Sequence, residues 1–232
     1  ILLNVSFFVL IEKTNLKNQI ITAVIFLIPW ISGLYFIQNN EKNILEGLSV
    51  ALIQPNVSLQ EKWYGSNNNN INTLLSLSKP YIDKGTDLII WPESALPYDN
   101  LQNPKTMQYI IDSLLIDNDS YLLTGNVIYD KKGHYNSAVL INKTGIVDIY
   151  NKRLLVPIAE YVPLSDIFQK LKEFNFGQAN FSKGEADVVF ETYNQKFSSL
   201  ICFESTFPHI NRRHAKLGAD YFVYLVNDGW YE

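Results

Sequence analysis

LIIWPES, Leu88 to Ser94, is an apolar run that ends in a proline and then a carboxylate. Consecutive apolar residues without alternation suit a strand covered on both faces. Pro92 stops regular pairing and leaves Glu93 at the strand's C-terminal edge, where layered α/β sheets bind their ligands. A glutamate in a surface turn would give the same local pattern, so the stretch gains meaning only from similar placements elsewhere.

Two further segments combine a strand end with reactive side chains. In YNKRLLVPIAEYVPL, Tyr150 to Leu164, one acid, Glu160, is embedded among Leu, Val, Ile, Ala, Tyr and Pro. A carboxylate there must be solvated or paired, and Lys152 is the available cation; an ordinary surface pair fits equally well. In LICFESTFP, Leu200 to Pro208, Cys202 is the single cysteine, with Glu204 two residues on. A lone buried cysteine is commonly a small hydrophobe, and a catalytic one needs a base and a nearby positive charge. None of His134, His209 and His214 is placed for that work. Glu93 as base and Lys152 as stabilising cation are the alternative that the chain offers.

Around these segments the pattern alternates. SVALIQ (49–54), DLIIWPE (87–93), YLLTGNVIY (121–129), SAVLIN (137–142), DVVFETY (187–193), FSSLICFE (197–204) and DYFVYLV (220–226) read as strands. INTLLSLSKPYID (71–83), PKTMQYIIDSLL (104–115), LSDIFQKLKEF (164–174) and PHINRRHAKLGA (208–219) have apolar residues at helical spacing. Pro104 and Pro208 suit first turns. The tract SNNNNIN, Ser66 to Asn72, reads as a solvated loop. Alternating strands and helices predict an α/β layered domain.

The N-terminal part is different. Ile20 to Ile37, IITAVIFLIPWISGLYFI, carries no charge and approaches the ~20 residues that span hydrocarbon. Its Pro29 and Gly33 are tolerated in membrane helices. The apolar run Ile1 to Ile11 reads as the end of an earlier span, and the loop between carries Lys13 and Lys17 against Glu12. The positive-inside bias then puts the loop in the cytoplasm and the rest of the chain outside. The expected organisation is transmembrane segments over residues 1–40 and a catalytic domain over 41–232, truncated at its C-terminal end as part of a longer protein.

With 47% hydrophobic residues, a net charge of −4 and no basic block, the 232-residue chain shows no sign of a nucleic-acid surface, and no nucleic-acid partner is expected. One cysteine cannot form an internal disulfide, and three histidines make a Cys/His metal cage an unsuitable reading. No metal or other cofactor is expected.

WPES, YNKRLLVP and ICFES, bearing Glu93, Lys152 and Cys202 in that order, resemble the nitrilase, or carbon-nitrogen hydrolase, superfamily. The resemblance implies an α-β-β-α four-layer sandwich and a Glu-Lys-Cys triad. VPIAEYVPL, KW (62–63), YNSA (135–138), NDGWY (227–231) and the preceding span are similar, more specifically, to the apolipoprotein N-acyltransferase branch. That likeness covers essentially the whole chain. It implies an enzyme of the bacterial inner membrane, acting as a monomer with its catalytic domain on the periplasmic side. Its acyl donor would be a membrane phospholipid and its acceptor a diacylglyceryl apolipoprotein. By the same resemblance Glu93 is the general base, Lys152 supports the tetrahedral intermediate and Cys202 carries the acyl group as a thioester. Glu160, Glu204 and Asn136 become supporting residues; Trp63, Tyr161, Phe203 and Trp230 become substrate-binding ones. The chain departs from the branch at Leu154, Ile158, Ala159 and Phe203, where His, Phe, Gly and Tyr are common. A nitrilase-type amidase and an inactive membrane-anchored binding domain are the alternative readings.

Overall fold

A computed structural model describes residues 2–12, 15–40, 47–57, 67–96, 101–162, 180–193 and 195–227. The chain divides into two compact units, Ile1–Gly47 and Leu48–Glu232.

The first unit pairs helix α1 (Leu2–Glu12) with helix α2 (Leu16–Asn40). Asn15 starts α2, accepting from the Asn18 backbone N–H at 2.9 Å, which satisfies one of the orphan donors of the first turn. Within this unit the buried side chains are polar: Thr22 donates to the Ser6 carbonyl at 3.2 Å, while Trp30, Leu34 and Phe36 point outward. Small polar residues at the seam and apolar residues outside are the arrangement suited to hydrocarbon. Leu16–Gln38, 23 residues, is long and apolar enough to cross a membrane.

The second unit is built on two sheets. Strands β1 (Val50–Leu52), β2 (Leu88–Ile90), β3 (Tyr121–Asp130), β4 (Gly133–Asn142) and β5 (Gly145–Asn151) form the first, in that spatial order. Pairing is parallel for β1–β2–β3 and antiparallel for β3–β4–β5. Strands β6 (Phe190–Thr192), β7 (Gln195–Ile201) and β8 (Tyr221–Leu225) form the second.

Side-chain alternation divides the first sheet between two cores. Ala51, Ile53, Ile89, Trp91, Leu122, Val139 and Ile141 face helix α3 (Asn67–Ile82) and helix α4 (Pro104–Ile110). Leu88, Ile90, Leu123, Ala138 and Leu140 face the second sheet, meeting Phe190, Phe197, Ile201, Val223 and Leu225. On the far side of that second sheet, helix α5 (Pro208–Lys216) is fixed by Tyr224 donating to Asn211 and by His214 at 2.8 Å from Ser198. The layers are helix, sheet, sheet, helix. Strand β2 is buried on both faces because both are covered, which is why LIIW has no polar alternation.

Several expectations change. The asparagine tract is not a loop: α3 begins at Asn67, because Ile71, Leu74, Leu75 and Ile82 bury one face and tertiary packing overrides poor helix propensity. GIVDIYN becomes strand β5, an edge strand with exposed Ile146, Val147 and Asp148, which hides it from an apolar-run reading. DVVFETY shortens to β6, and FSSLICFE ends as strand at Ile201, with Cys202–Thr206 forming a 3₁₀ turn. PKTMQYIIDSLL is helical, but its second half, Ile111–Leu115, widens to a π turn. LSDIFQKLKEF lies outside the described residues.

Leu140→Ala, which opens a hole where the sheets meet, is expected to lower unfolding free energy by about 2–5 kcal/mol. Lys196→Ala, on the exposed side of β7, should stay within about 0.5 kcal/mol. Chemical denaturation of the two variants checks the comparison.

Candidate active site

Glu93 stands just past β2, on a backbone corner that presses against β3. The Gly125 N–H donates to the Pro92 carbonyl at 3.2 Å, and the Ala95 N–H donates to the Gly125 carbonyl at 3.0 Å. A Cβ on Gly125 would stand 2.5 Å from the Ser94 nitrogen and 2.6 Å from the Glu93 Cα. No side chain fits there, so glycine is what lets the corner lie flat on the sheet. Ser94 adopts a φ of 49°, turning the chain away directly after the carboxylate.

Lys152 follows the last residue of β5 and has no exposed surface. Its N–H donates to the Asn136 carbonyl on β4 at 2.8 Å, and its own carbonyl accepts from the Gly184 N–H at 2.8 Å. The Lys152 Nζ lies 2.7 Å from Glu160 Oε1 and 3.7 Å from Glu93 Oε1. Asn136 also donates to Glu93 Oε1 at 2.8 Å. Glu160 is aimed by its own loop: its second oxygen accepts from the Val156 N–H at 2.9 Å, and the Glu160 N–H returns to the Val156 carbonyl at 2.9 Å. That tight loop carries Ile158 at a φ of 70°.

Cys202 emerges half-buried from β7 at a φ of 48°. Glu204, fully buried, holds this corner to the lysine segment. One Glu204 oxygen accepts from the Tyr150 hydroxyl (2.7 Å), the Arg153 N–H (2.8 Å) and the Leu154 N–H (3.0 Å); the other accepts from the Ile201 N–H (3.0 Å). A carboxylate with four donors can be buried without a cation in contact.

The electrostatics join these groups into one site. Burial alone would lower the Lys152 pKa, but Glu93 and Glu160 outweigh it and hold the ammonium above its ordinary value. The Cys202 thiol is pushed up, first by burial and then by Glu93; Lys152 opposes the rise and Glu160 adds to it. At neutral pH the resting sulfur is therefore a thiol, and forming the thiolate requires a base at the moment of attack.

Six expected residues, Glu93, Asn136, Lys152, Glu160, Cys202 and Glu204, are thus brought together. Tyr161 packs beside Val127, Leu155 and Phe181, with the Lys183 Nζ 4.7 Å above its ring. Phe203 stands edge-on to Phe207, ring centres 4.9 Å apart. Trp63 and Trp230 lie outside the described residues. A cavity of about 700 Å³ opens at the C-terminal ends of β1, β2 and β8, with Pro92 and Ala95 on its Glu93 side. Among the described residues no cluster of His, Cys, Asp or Glu is spaced to hold a metal ion. Sequence reasoning missed Gly125, Tyr150 and the Asp187 cluster described below. Only Gly125 had a signal, a glycine inside a strand.

Residues 49–232 match the family model for carbon-nitrogen hydrolase. The chain belongs to the carbon-nitrogen hydrolase family. Carbon-nitrogen hydrolase relatives include apolipoprotein N-acyltransferase 2 of Treponema denticola, 33% identical over 239 residues, covering 94% of this chain and 44% of the relative. The apolipoprotein N-acyltransferase of Haemophilus influenzae is 31% identical over 245 residues, covering 96% and 45%. The chain therefore spans under half the length of these curated relatives. Among solved structures, an amidase from Nesterenkonia sp. AN1 superposes with a TM-score of 0.56 at 15% identity, over 78% of this chain and 67% of the amidase. A carbon-nitrogen hydrolase from Helicobacter pylori G27 superposes with a TM-score of 0.55 at 19% identity, over 77% and 59%. At such identities the likeness establishes the nitrilase fold alone.

Alkylation of Cys202 by iodoacetamide, followed by mass spectrometry against pH, should have its midpoint above the ~8.5 of a free thiol. Glu93→Gln should lower that midpoint and Lys152→Met should raise it; the reverse order would contradict the charge arrangement. Gly125→Ala should cost about 1–3 kcal/mol of stability through overpacking and displace Glu93, which a crystal structure of the variant would reveal.

Proposed function

We propose that this chain is the catalytic part of a bacterial membrane N-acyltransferase that modifies lipoproteins through a thioester on Cys202. The observation that carries the reading is the buried Lys152 ammonium, held between Glu93 and Glu160 and interacting electrostatically with the Cys202 thiol. Glu93 takes the thiol proton as the sulfur attacks the ester carbonyl of a phospholipid, and Lys152 stabilises the oxyanion that forms. Collapse breaks the ester C–O bond, and the leaving lysophospholipid oxygen takes the proton back from Glu93. The α-amine of a diacylglyceryl-cysteine then attacks the thioester, giving a proton to Glu93. Collapse breaks the C–S bond, leaves an amide and returns the proton to sulfur. Splitting one transfer into two displacements at the same thiol is the advantage of covalent catalysis.

Both substrates carry acyl chains, and a helix of membrane-spanning length precedes the domain, so donor and acceptor would meet the thiol at a bilayer surface. The names of the relatives support this reading. In it, residues 1–40 are membrane segments, residues from 41 onward form the catalytic domain on the periplasmic side, and the enzyme acts as a monomer.

The test is to incubate the purified full-length protein with phospholipid labelled in its acyl chains. The expected result is a hydroxylamine-sensitive acyl adduct on Cys202, absent in Cys202→Ala and discharged by added diacylglyceryl peptide amine. Folded protein that forms no adduct would sink the transfer mechanism. An adduct discharged equally by water alone would favour an amidase-like hydrolase.

A further inference from the structure

Behind the lysine and the cysteine lies a second ionic cluster that no step of the transfer uses. Asp187, itself mostly buried, receives two arginine side chains and stands beside the ring of His214, whose pKa burial lowers. The Arg153 Nη1 donates to its Oδ1, and the His214 Nε2 stands 3.2 Å from the same oxygen. The Arg213 Nε is 2.9 Å from its Oδ2. Arg153 is the residue after Lys152. Arg213 and His214 are on α5, which the chain enters directly from the Cys202 turn. His214, fully buried, is also 2.8 Å from Ser198 on the cysteine's own strand, and its ring meets Tyr150 edge-on with centres 5.9 Å apart. Asp187 therefore joins the element carrying the lysine to the elements carrying the cysteine.

Glu204 makes the same connection through backbone N–H groups, so the two carboxylates grip opposite ends of one residue. Glu204 takes the Arg153 main chain, and Asp187 takes its guanidinium. Arg153 is thereby held both at its main chain and at the tip of its side chain. We propose that Asp187 is a positioning residue for the Glu93–Lys152–Cys202 site, acting through Arg153 to fix where the Lys152 ammonium sits relative to the Cys202 sulfur. The catalytic side of this proposal rests on the acyl-transfer reading; the placement of Lys152 against the thiol does not.

The two effects of removing Asp187 have opposite signs at the sulfur. Losing a negative charge, by itself, favours the thiolate and lowers the alkylation midpoint of Cys202. Letting Lys152 drift away disfavours the thiolate and raises it. In the full-length protein, Asp187→Asn is expected to raise the midpoint, in the same direction as Lys152→Met. The kcat for acyl transfer should fall by about tenfold to a hundredfold, with little change in KM. Arg153→Ala should do the same, and the double variant should be no worse than the more damaging single one, because both act through one contact. A midpoint that stays constant or falls, with kcat unchanged, would overturn the proposal whatever happens to the melting temperature. If Asp187→Asn does not fold, Arg153→Lys decides: it keeps the charge but loses the planar fork, and an unchanged midpoint and kcat in that variant would equally overturn the role. Should the wild-type protein form no acyl adduct at all, the transfer reading fails, while the alkylation midpoints still decide whether Asp187 positions Lys152.

Discussion

An ammonium with no exposed surface is costly to bury unless its charge is matched and its protons are accepted. Lys152 meets that condition with two carboxylates, Glu160 in contact and Glu93 slightly farther off, and the surrounding architecture serves it. Glu93 arrives from the end of β2, Glu160 from the tight loop after β5, and the lysine main chain is held on one side by Asn136 and on the other by Gly184. Burial raises the pKa of the neighbouring sulfur, and the excess of two negative charges over one positive charge adds to that rise despite the adjacent cation. A protonated thiol beside a carboxylate and a buried ammonium is the arrangement that the proposed chemistry uses.

The site also concentrates backbone strain. Ser94 after the proposed base, Ile158 before the supporting glutamate, and Cys202 itself adopt left-handed conformations without being glycine. Such residues cost on the order of 1–3 kcal/mol each and persist where the surroundings hold them. Here the holding groups can be named: Gly125 beneath the Ser94 corner, the Val156–Glu160 hydrogen bonds around Ile158, and Glu204 gripping the Ile201 N–H beside Cys202.

The layered fold was legible because its strands are apolar on one or both faces, and LIIWPES, YNKRLLVP and ICFES each placed a reactive residue at a strand end. Strand β5 was not legible, since an edge strand with exposed side chains has no run to notice. The start of α3 was hidden because asparagines read as loop until the burial of Ile71 and Leu74 is known. For the site, residue type and order pointed to Glu93, Lys152 and Cys202. What no local pattern contained was the closure between distant segments: Glu204 reaching Tyr150 and Arg153, and Asp187 reaching Arg153, Arg213 and His214. Those partners are selected by sheet packing, and a carboxylate in a polar stretch such as KGEAD looks the same whether it is solvated or central.

The division of the site between two sheets bears on what sets the chemistry of the cysteine. Glu93 and Lys152 hang from the five-stranded sheet, and Cys202 hangs from the three-stranded one, so the sulfur meets the proposed base and cation only where the apolar faces of Leu123, Leu140, Phe197 and Ile201 close on each other. Before that closure Cys202 is a solvated thiol of ordinary pKa; closure buries it and sets Glu93 and Glu160 against it, which raises that pKa. Completing the core therefore makes the sulfur harder to ionise by itself, and in the proposed reaction ties its attack to the carboxylate that the same packing sets beside it.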